Sequence, residues 1–198
     1  ALFDGTTWTI ATVDSSAAGV GLYASLAFGP DGQPAIAYYD LANSNLKYAR
    51  YNGATWVLTT LETTGTTGLY TSLAFGPDGQ PAISYSDASN GSLKIARFNG
   101  TTWTLSVVDD STVVGSYSSL AFGPDGQPAI AYYESAGHNL RFARFDGSAW
   151  NVTIVDSIGD MGMHASLAFG PDGLPAIAYF DNTSFDLKLA RMKAVLPP

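Results

Sequence analysis

SLAFGPDGQPAIAYYD, residues 25–40, recurs as SLAFGPDGQPAISYSD from Ser72, as SLAFGPDGQPAIAYYE from Ser119 and as SLAFGPDGLPAIAYFD from Ser166. The four starts are 47 residues apart, a fixed period of the length that builds propeller blades or solenoid coils. Within each unit, short runs of Ala, Ile, Leu, Tyr and Phe are separated by turn chemistry: GPDG after the first run, and Asn-Gly or Asp-Gly before each Trp. The spacing predicts four strands per unit: strand a over residues 23–28, b over 35–39, c over 45–51 and d over 55–61. No window carries an apolar stripe of helical length, so the chain is expected to be all-β. Alternation gives each strand a bulky face (Leu26, Phe28; Ile36, Tyr38) and a small one (Ser25, Ala27; Ala35, Ala37), which suits a sheet sandwiched between two copies of itself.

The ends of the repeat choose between a ring and an open stack. Phe3-Asp4-Gly5-Thr6-Thr7-Trp8 matches Phe98-Asn99-Gly100-Thr101-Thr102-Trp103, while Leu187–Arg191 is a strand c with Met192 at the place of Phe98. Both ends therefore fall at the same hairpin. The expected fold is a four-bladed β-propeller with four antiparallel strands per blade, a single domain over residues 1–198, closed by the N-terminal strand Thr6–Val13 completing the last blade. A solenoid would call for divergent polar capping units, and the end units here match the middle ones. The same strand completing a neighbouring molecule would give self-association through the terminal strand.

Composition excludes several classes of function. With 46% hydrophobic residues there is ample material for a core, and the net charge of −8 opposes nucleic acid or an anionic membrane surface as partner. Gly, Pro and Asp interrupt every apolar run, so no membrane insertion is expected. The absence of cysteine removes disulfides, thiolate metal sites and thiol nucleophiles. His138 and His164 sit in no metal spacing and beside no GxSxG motif, and no DxDxDG calcium loop occurs, so no metal or cofactor is expected.

The units SLAFGPDGQPAIAYYD, NLKYARYNG and TW resemble the tandem repeats of bacterial secreted β-propeller proteins. A 47-residue unit with Trp on its outer strand is also similar in layout to lectin propellers of the tachylectin type. Asp4-Gly5-Thr6-Thr7-Trp8 and Asp146-Gly147-Ser148-Ala149-Trp150 resemble the Asp-box of sialidase propellers at the same hairpin, although Asp and Gly are adjacent here where that motif separates them. The plainer reading of these residues is a tight Asn-Gly or Asp-Gly turn. The resemblance implies a secreted β-propeller and carries little about activity.

Strand direction sorts the loops into two faces. The top, at the start of strands a and c and the end of b and d, takes eleven of the 17 acids and four of the nine bases. Tyr23, Tyr70, Tyr117 and His164 precede strand a there, and Asp40, Asp87, Glu134 and Asp181 follow strand b. Because strand a lines a propeller's axis, these eight residues are expected to surround the central mouth, and this mouth, or the grooves between blades, is expected to bind a glycan or protein ligand. Tyrosine supplies a flat apolar face with a hydroxyl, and carboxylates accept paired hydrogen bonds, a combination suited to sugars. The competing reading makes the acids structural, bonding turn N–H groups or pairing with Lys47 and its equivalents. On the bottom, Arg50, Arg97, Arg144 and Arg191 lie level with the GPDG aspartates and are expected to form ion pairs between neighbouring turns. The function expected is a non-catalytic, secreted, lectin-like module. Alternatives are a structural subunit assembling into a fibre by strand exchange, and a glycoside hydrolase using two of the top carboxylates.

Overall fold

In the computed structural model the described residues are 2–3, 5–111 and 113–193, with Leu2 and Phe3 described by backbone alone; Asp4, counted above among the acids and in the first Asp-Gly turn, lies outside them. Every regular element among them is a strand. After β1 (Leu2–Phe3) and β2 (Trp8–Thr9), the first blade consists of β3 (Val20–Phe28), β4 (Pro34–Asp40), β5 (Asn45–Tyr51) and β6 (Trp56–Glu62). The second comprises β7 (Thr67–Phe75), β8 (Pro81–Asp87), β9 (Ser92–Phe98) and β10 (Trp103–Asp109). The third comprises β11 (Val114–Phe122), β12 (Pro128–Glu134), β13 (Asn139–Phe145) and β14 (Trp150–Asp156). The fourth has β15 (Met161–Phe169), β16 (Pro175–Asp181) and β17 (Asp186–Arg191). Each sheet is an antiparallel meander in chain order.

Local chemistry explains the strand limits. In GPDG, Gly32 N donates to Gly29 O (2.9 Å) and Asp31 Oδ1 accepts from Gln33 N (3.0 Å), which closes the turn and leaves Pro34 to open β4 where its missing N–H costs no ladder bond. Strand a begins three residues earlier than the sequence spacing predicts. Its register with strand b jumps at Leu22 and again before Ser25, and the bulge is made by left-handed backbone at Gly21 (φ 97°) and Tyr23 (φ 52°). The same pair recurs at Gly68 and Tyr70, Gly115 and Tyr117, and Gly162 and His164. At Gly68 and Gly162 a Cβ would come within 2.7 Å of the Cα of Leu46 and Leu140 in the preceding blade, so glycine also permits the blades to approach there.

The core lies between blades. Ala35, Ala37, Leu46 and Tyr48 on the back of blade 1 pack against Leu73, Ile83 and Tyr85 on the front of blade 2. Blade 2 meets blade 3, and blade 3 meets blade 4, through the equivalent residues. Each junction carries the same polar register mark: Leu73 N donates to Ser25 Oγ (2.9 Å), Leu120 N to Ser72 Oγ (3.0 Å) and Leu167 N to Ser119 Oγ (2.9 Å). The alternation of bulky and small faces is thus what the sandwich uses.

Closure differs from the expectation. Trp8 and Thr9 pair with Phe3 and Leu2 in a hairpin of their own, and the fourth sheet contains β15, β16 and β17 without an N-terminal strand beside them. Among the described residues the four blades form an arc in which no other blade covers the front face of blade 1 or the back face of blade 4. A two-residue pairing close in sequence loses less chain entropy than returning residues 6–13 across the whole molecule.

Candidate functional site

The bulge that starts each inner strand turns one aromatic ring toward the concave edge of the arc. Tyr23 and Tyr70 have ring centroids 4.6 Å apart, Tyr70 and Tyr117 4.7 Å, and Tyr117 and His164 4.4 Å, each pair tilted by 45–52°. The four rings make one continuous row. With Ala24, Thr71, Ser118 and Ala165 they line an open depression of about 240 Å³. All four sit at φ 52–54°, a conformation that costs a non-glycine residue on the order of 1 kcal/mol and that recurs where backbone is held for a purpose. Burial, then the neighbouring Tyr117 and Tyr23, pushes the Tyr70 hydroxyl up to about 12. Tyr70 therefore stays a neutral phenol at neutral pH.

The acidic half of the expected site lies elsewhere. Asp40, Asp87, Glu134 and Asp181 are buried, and none lines the depression. Asp87 accepts from Ser89 N, Asn90 N and Asn90 Nδ2 (2.8–3.2 Å), Glu134 from Gly137 N and Asn139 Nδ2, Asp181 from Thr183 N, Ser184 N and Ser184 Oγ, and Asp40 from Asn43. These carboxylates tie down the turn between strands b and c, which is the structural reading of the repeat.

A second set of acids joins successive blades. Tyr85 OH donates to Glu62 (2.7 Å), Tyr132 OH to Asp109 (2.6 Å) and Tyr179 OH to Asp156 (2.7 Å), in each case from strand b to the end of the preceding blade's strand d. Lys94 pairs with both Glu62 and Asp87, Arg141 with Asp109 and Glu134, and Lys188 with Asp156 and Asp181. The first copy is made by Asp14, which takes Tyr38 OH (2.7 Å) and Lys47 Nζ (2.5 Å). Burial alone would raise the Asp14 pKa, but the bonds from Lys47, Tyr38 and Ser16 outweigh it and hold the carboxyl below its ordinary range. Asp109 and Asp156 are lowered in the same balance, burial opposed by Tyr132 or Tyr179 and the facing cation.

The bottom face also departs from expectation. Arg50, Arg97, Arg144 and Arg191 pair with Asp31, Asp78, Asp125 and Asp172 of their own blade, 19 residues back, rather than with a neighbouring turn. The link to the next blade is a cation–π contact, with Arg50 over Phe75 (5.2 Å), Arg97 over Phe122 (5.8 Å) and Arg144 over Phe169 (4.9 Å). At the Asp-Gly hairpin Asp146 Oδ1 accepts from Ser148 N and Ala149 N (2.9 Å), the tight-turn use of these residues.

Two features go beyond the sequence reading: the face on which the grooves between blades open, and one backbone conformation. Grooves of about 530 and 390 Å³ open between blades on this bottom face, floored by Trp103 with Tyr48 and by Trp150 with Phe145. The left-handed backbone of the aromatic row was also unread. Its signal is a glycine two residues before each ring, in Gly21-Leu22-Tyr23 and its three copies.

No protein-family model matches the chain, and no curated protein matches it in sequence. Solved structures do match in fold. A protein of unknown function from Dyadobacter fermentans aligns with a TM-score of 0.62 at 14% identity, over 79% of this chain and 48% of that one. The Hadza microbial sialidase Hz136 aligns with 0.61 at 13%, over 86% and 44%, and the GH93 α-L-arabinofuranosidase of Fusarium graminearum with 0.53 at 18%, over 81% and 56%. This chain thus spans roughly half the length of each. At these identities the likeness shows the fold alone, an all-β arrangement of four-stranded blades of the β-propeller kind.

Proposed function

We propose that the chain is a non-catalytic carbohydrate-binding module of the extracellular space, with Tyr23, Tyr70, Tyr117 and His164 as its docking floor. The observation that carries this reading is the unbroken row of four rings in strained backbone at the lip of an open depression. Flat apolar faces bearing hydroxyls suit the C–H faces and hydroxyls of pyranose rings, and successive rings at about the same spacing favour an extended glycan over a monosaccharide. Two of the solved propellers it resembles, a sialidase and an arabinofuranosidase, are named for enzymes acting on sugars. A binding role fits better than hydrolysis because no carboxylate lines the depression among the described residues, and Asp109 and Asp156 are held ionised where a general acid needs a raised pKa.

A glycan array followed by calorimetry tests the reading. Tyr70→Ala and Tyr117→Ala should each weaken binding of the best glycan by at least about tenfold while the protein stays folded. Wild-type protein that binds no glycan, or binding untouched by both substitutions, overturns the proposal, and turnover of aryl glycosides by the wild type would replace it with the hydrolase.

A further inference from the structure

The two ends of the arc are the two halves of a junction that the molecule already makes three times. Leu73, Leu120 and Leu167, on the fronts of blades 2 to 4, are 6–7% exposed, whereas Leu26 at the same position on blade 1 is 59% exposed. Leu46, Leu93 and Leu140, on the backs of blades 1 to 3, are fully buried, whereas Leu187 on blade 4 is 84% exposed. Leu189, in the place of Tyr48, is exposed as well. Polar partners are divided in the same way. The Oγ of Ser166 accepts no backbone bond of the kind that Ser25, Ser72 and Ser119 accept among the described residues, and Leu26 N is the matching donor. Among the described residues Arg191 has no phenylalanine like those that Arg50, Arg97 and Arg144 each take from the next blade, while Phe28 stands exposed on blade 1.

We infer that the front of blade 1 docks on the back of blade 4 of a second copy of this chain, head to tail. The occupant is set by the internal junctions. A surface that accepts Leu73, Phe75 and a leucine N–H from one blade will accept Leu26, Phe28 and the Leu26 N–H, because these are the same groups on the same bulged strand. The approach is sterically open: a Cβ at Gly21 meets nothing within 4 Å, where its counterpart at Gly68 is pressed against the preceding blade. In every internal junction the outer strand of one blade leads into the inner strand of the next, ending at Glu62, Asp109 or Asp156. Asp14 already holds that terminal position against Tyr38. The residues before it, which carry Trp8 at the place of Trp56, are thereby directed in the second copy to the edge of β17 that no strand among the described residues occupies, giving that three-stranded sheet a fourth strand. The interface is heterologous, so association yields either a ring or a filament.

Two exposed leucines allow a test that leaves the interior of each blade pair intact. Wild-type protein should form oligomers in sedimentation velocity at concentrations up to about 100 μM, enough to reveal micromolar junctions. Leu26→Asp and Leu189→Asp should each remain monomeric, with circular dichroism unchanged. Mixed together they should form a complex of one chain of each and nothing larger, since one intact front and one intact back remain. A monomeric wild type would assign the faces to another partner and overturn the inference. Association abolished by only one of the substitutions, or a mixture that does not associate, would show a symmetric contact and overturn it equally.

Discussion

The repeat supplies its own control for the energetics of blade stacking. Leu26 and Leu73 occupy the same place in two nearly identical units, and only the second has a blade in front of it. Leu→Ala removes about three carbon groups, worth about 0.8 kcal/mol each when buried, and adds a cavity cost. Leu73→Ala should therefore lose about 3 kcal/mol. Leu26 is 59% exposed, so its substitution forfeits about two fifths of the transfer energy and leaves no cavity, a loss of about 1 kcal/mol. For a chain of this size those values correspond to falls in Tm of about 6–12 °C and about 2–4 °C. Calorimetry on dilute protein, below any association, reads the difference directly. Equal shifts would mean that blade 1 has a neighbour after all, and that the arc closes upon itself within one chain. Raising the protein concentration should enlarge the Leu26→Ala deficit and leave that of Leu73→Ala where it was.

Other expectations follow from the same geometry. Asp14, Asp109 and Asp156 have folded pKa values lowered below those of the unfolded chain, so their stabilisation is complete above about pH 4 and is lost as the pH falls through the folded values; Asp109→Asn should flatten the acid limb of a pH–melting profile, and an unchanged limb would discount the latch. Tyr70 is raised, so its contribution is whole below about pH 10 and is lost as the pH climbs toward 12; the phenolate absorbance removed by Tyr70→Phe should appear near pH 12, and its appearance near 10 would mean the row is open to water. Gly68→Ala forces a Cβ to within 2.7 Å of Leu46 Cα whereas Gly21→Ala meets nothing, so both suffer from positive φ but the first should unfold at a clearly lower temperature, and matching values would place the two glycines in the same surroundings. Arg144→Ala should destabilise more than Arg191→Ala, because only Arg144 covers a ring of the next blade; urea midpoints that coincide would remove the cation–π link from the blade junction.

Strand content and blade layout were legible because they are written within one period: Pro34 after GPDG, the large and small alternation of residues 35–38, and Trp56 after Asn-Gly each act locally. Closure was not legible, because a repeat records how one blade meets the next and holds nothing about where residues 6–13 come to rest. The aromatic row was found as a set of residues, yet its backbone was not, since Tyr23 in a left-handed bulge has the same letter as Tyr in a regular strand. The acids admitted two readings from the sequence, ligand contact and support of their own turns, and the contacts in the structure are those of the second. Asp87 and Asn90 together with Lys94, copied as Asp181, Ser184 and Lys188, are a turn and its counter-ion, and periodic carboxylates in isolation carry no sign of which groups face them.

The bulged inner strand has one more consequence. Every blade brings a single ring to the concave edge, and each of the first three hands the next the serine that fixes their relative height, so ring count and blade count advance together. Inserting a fifth 47-residue unit between any two others would lengthen the aromatic track by one step without asking any existing contact to change. Gene duplication, or an engineer, thereby gains a ruler whose graduations are tyrosines.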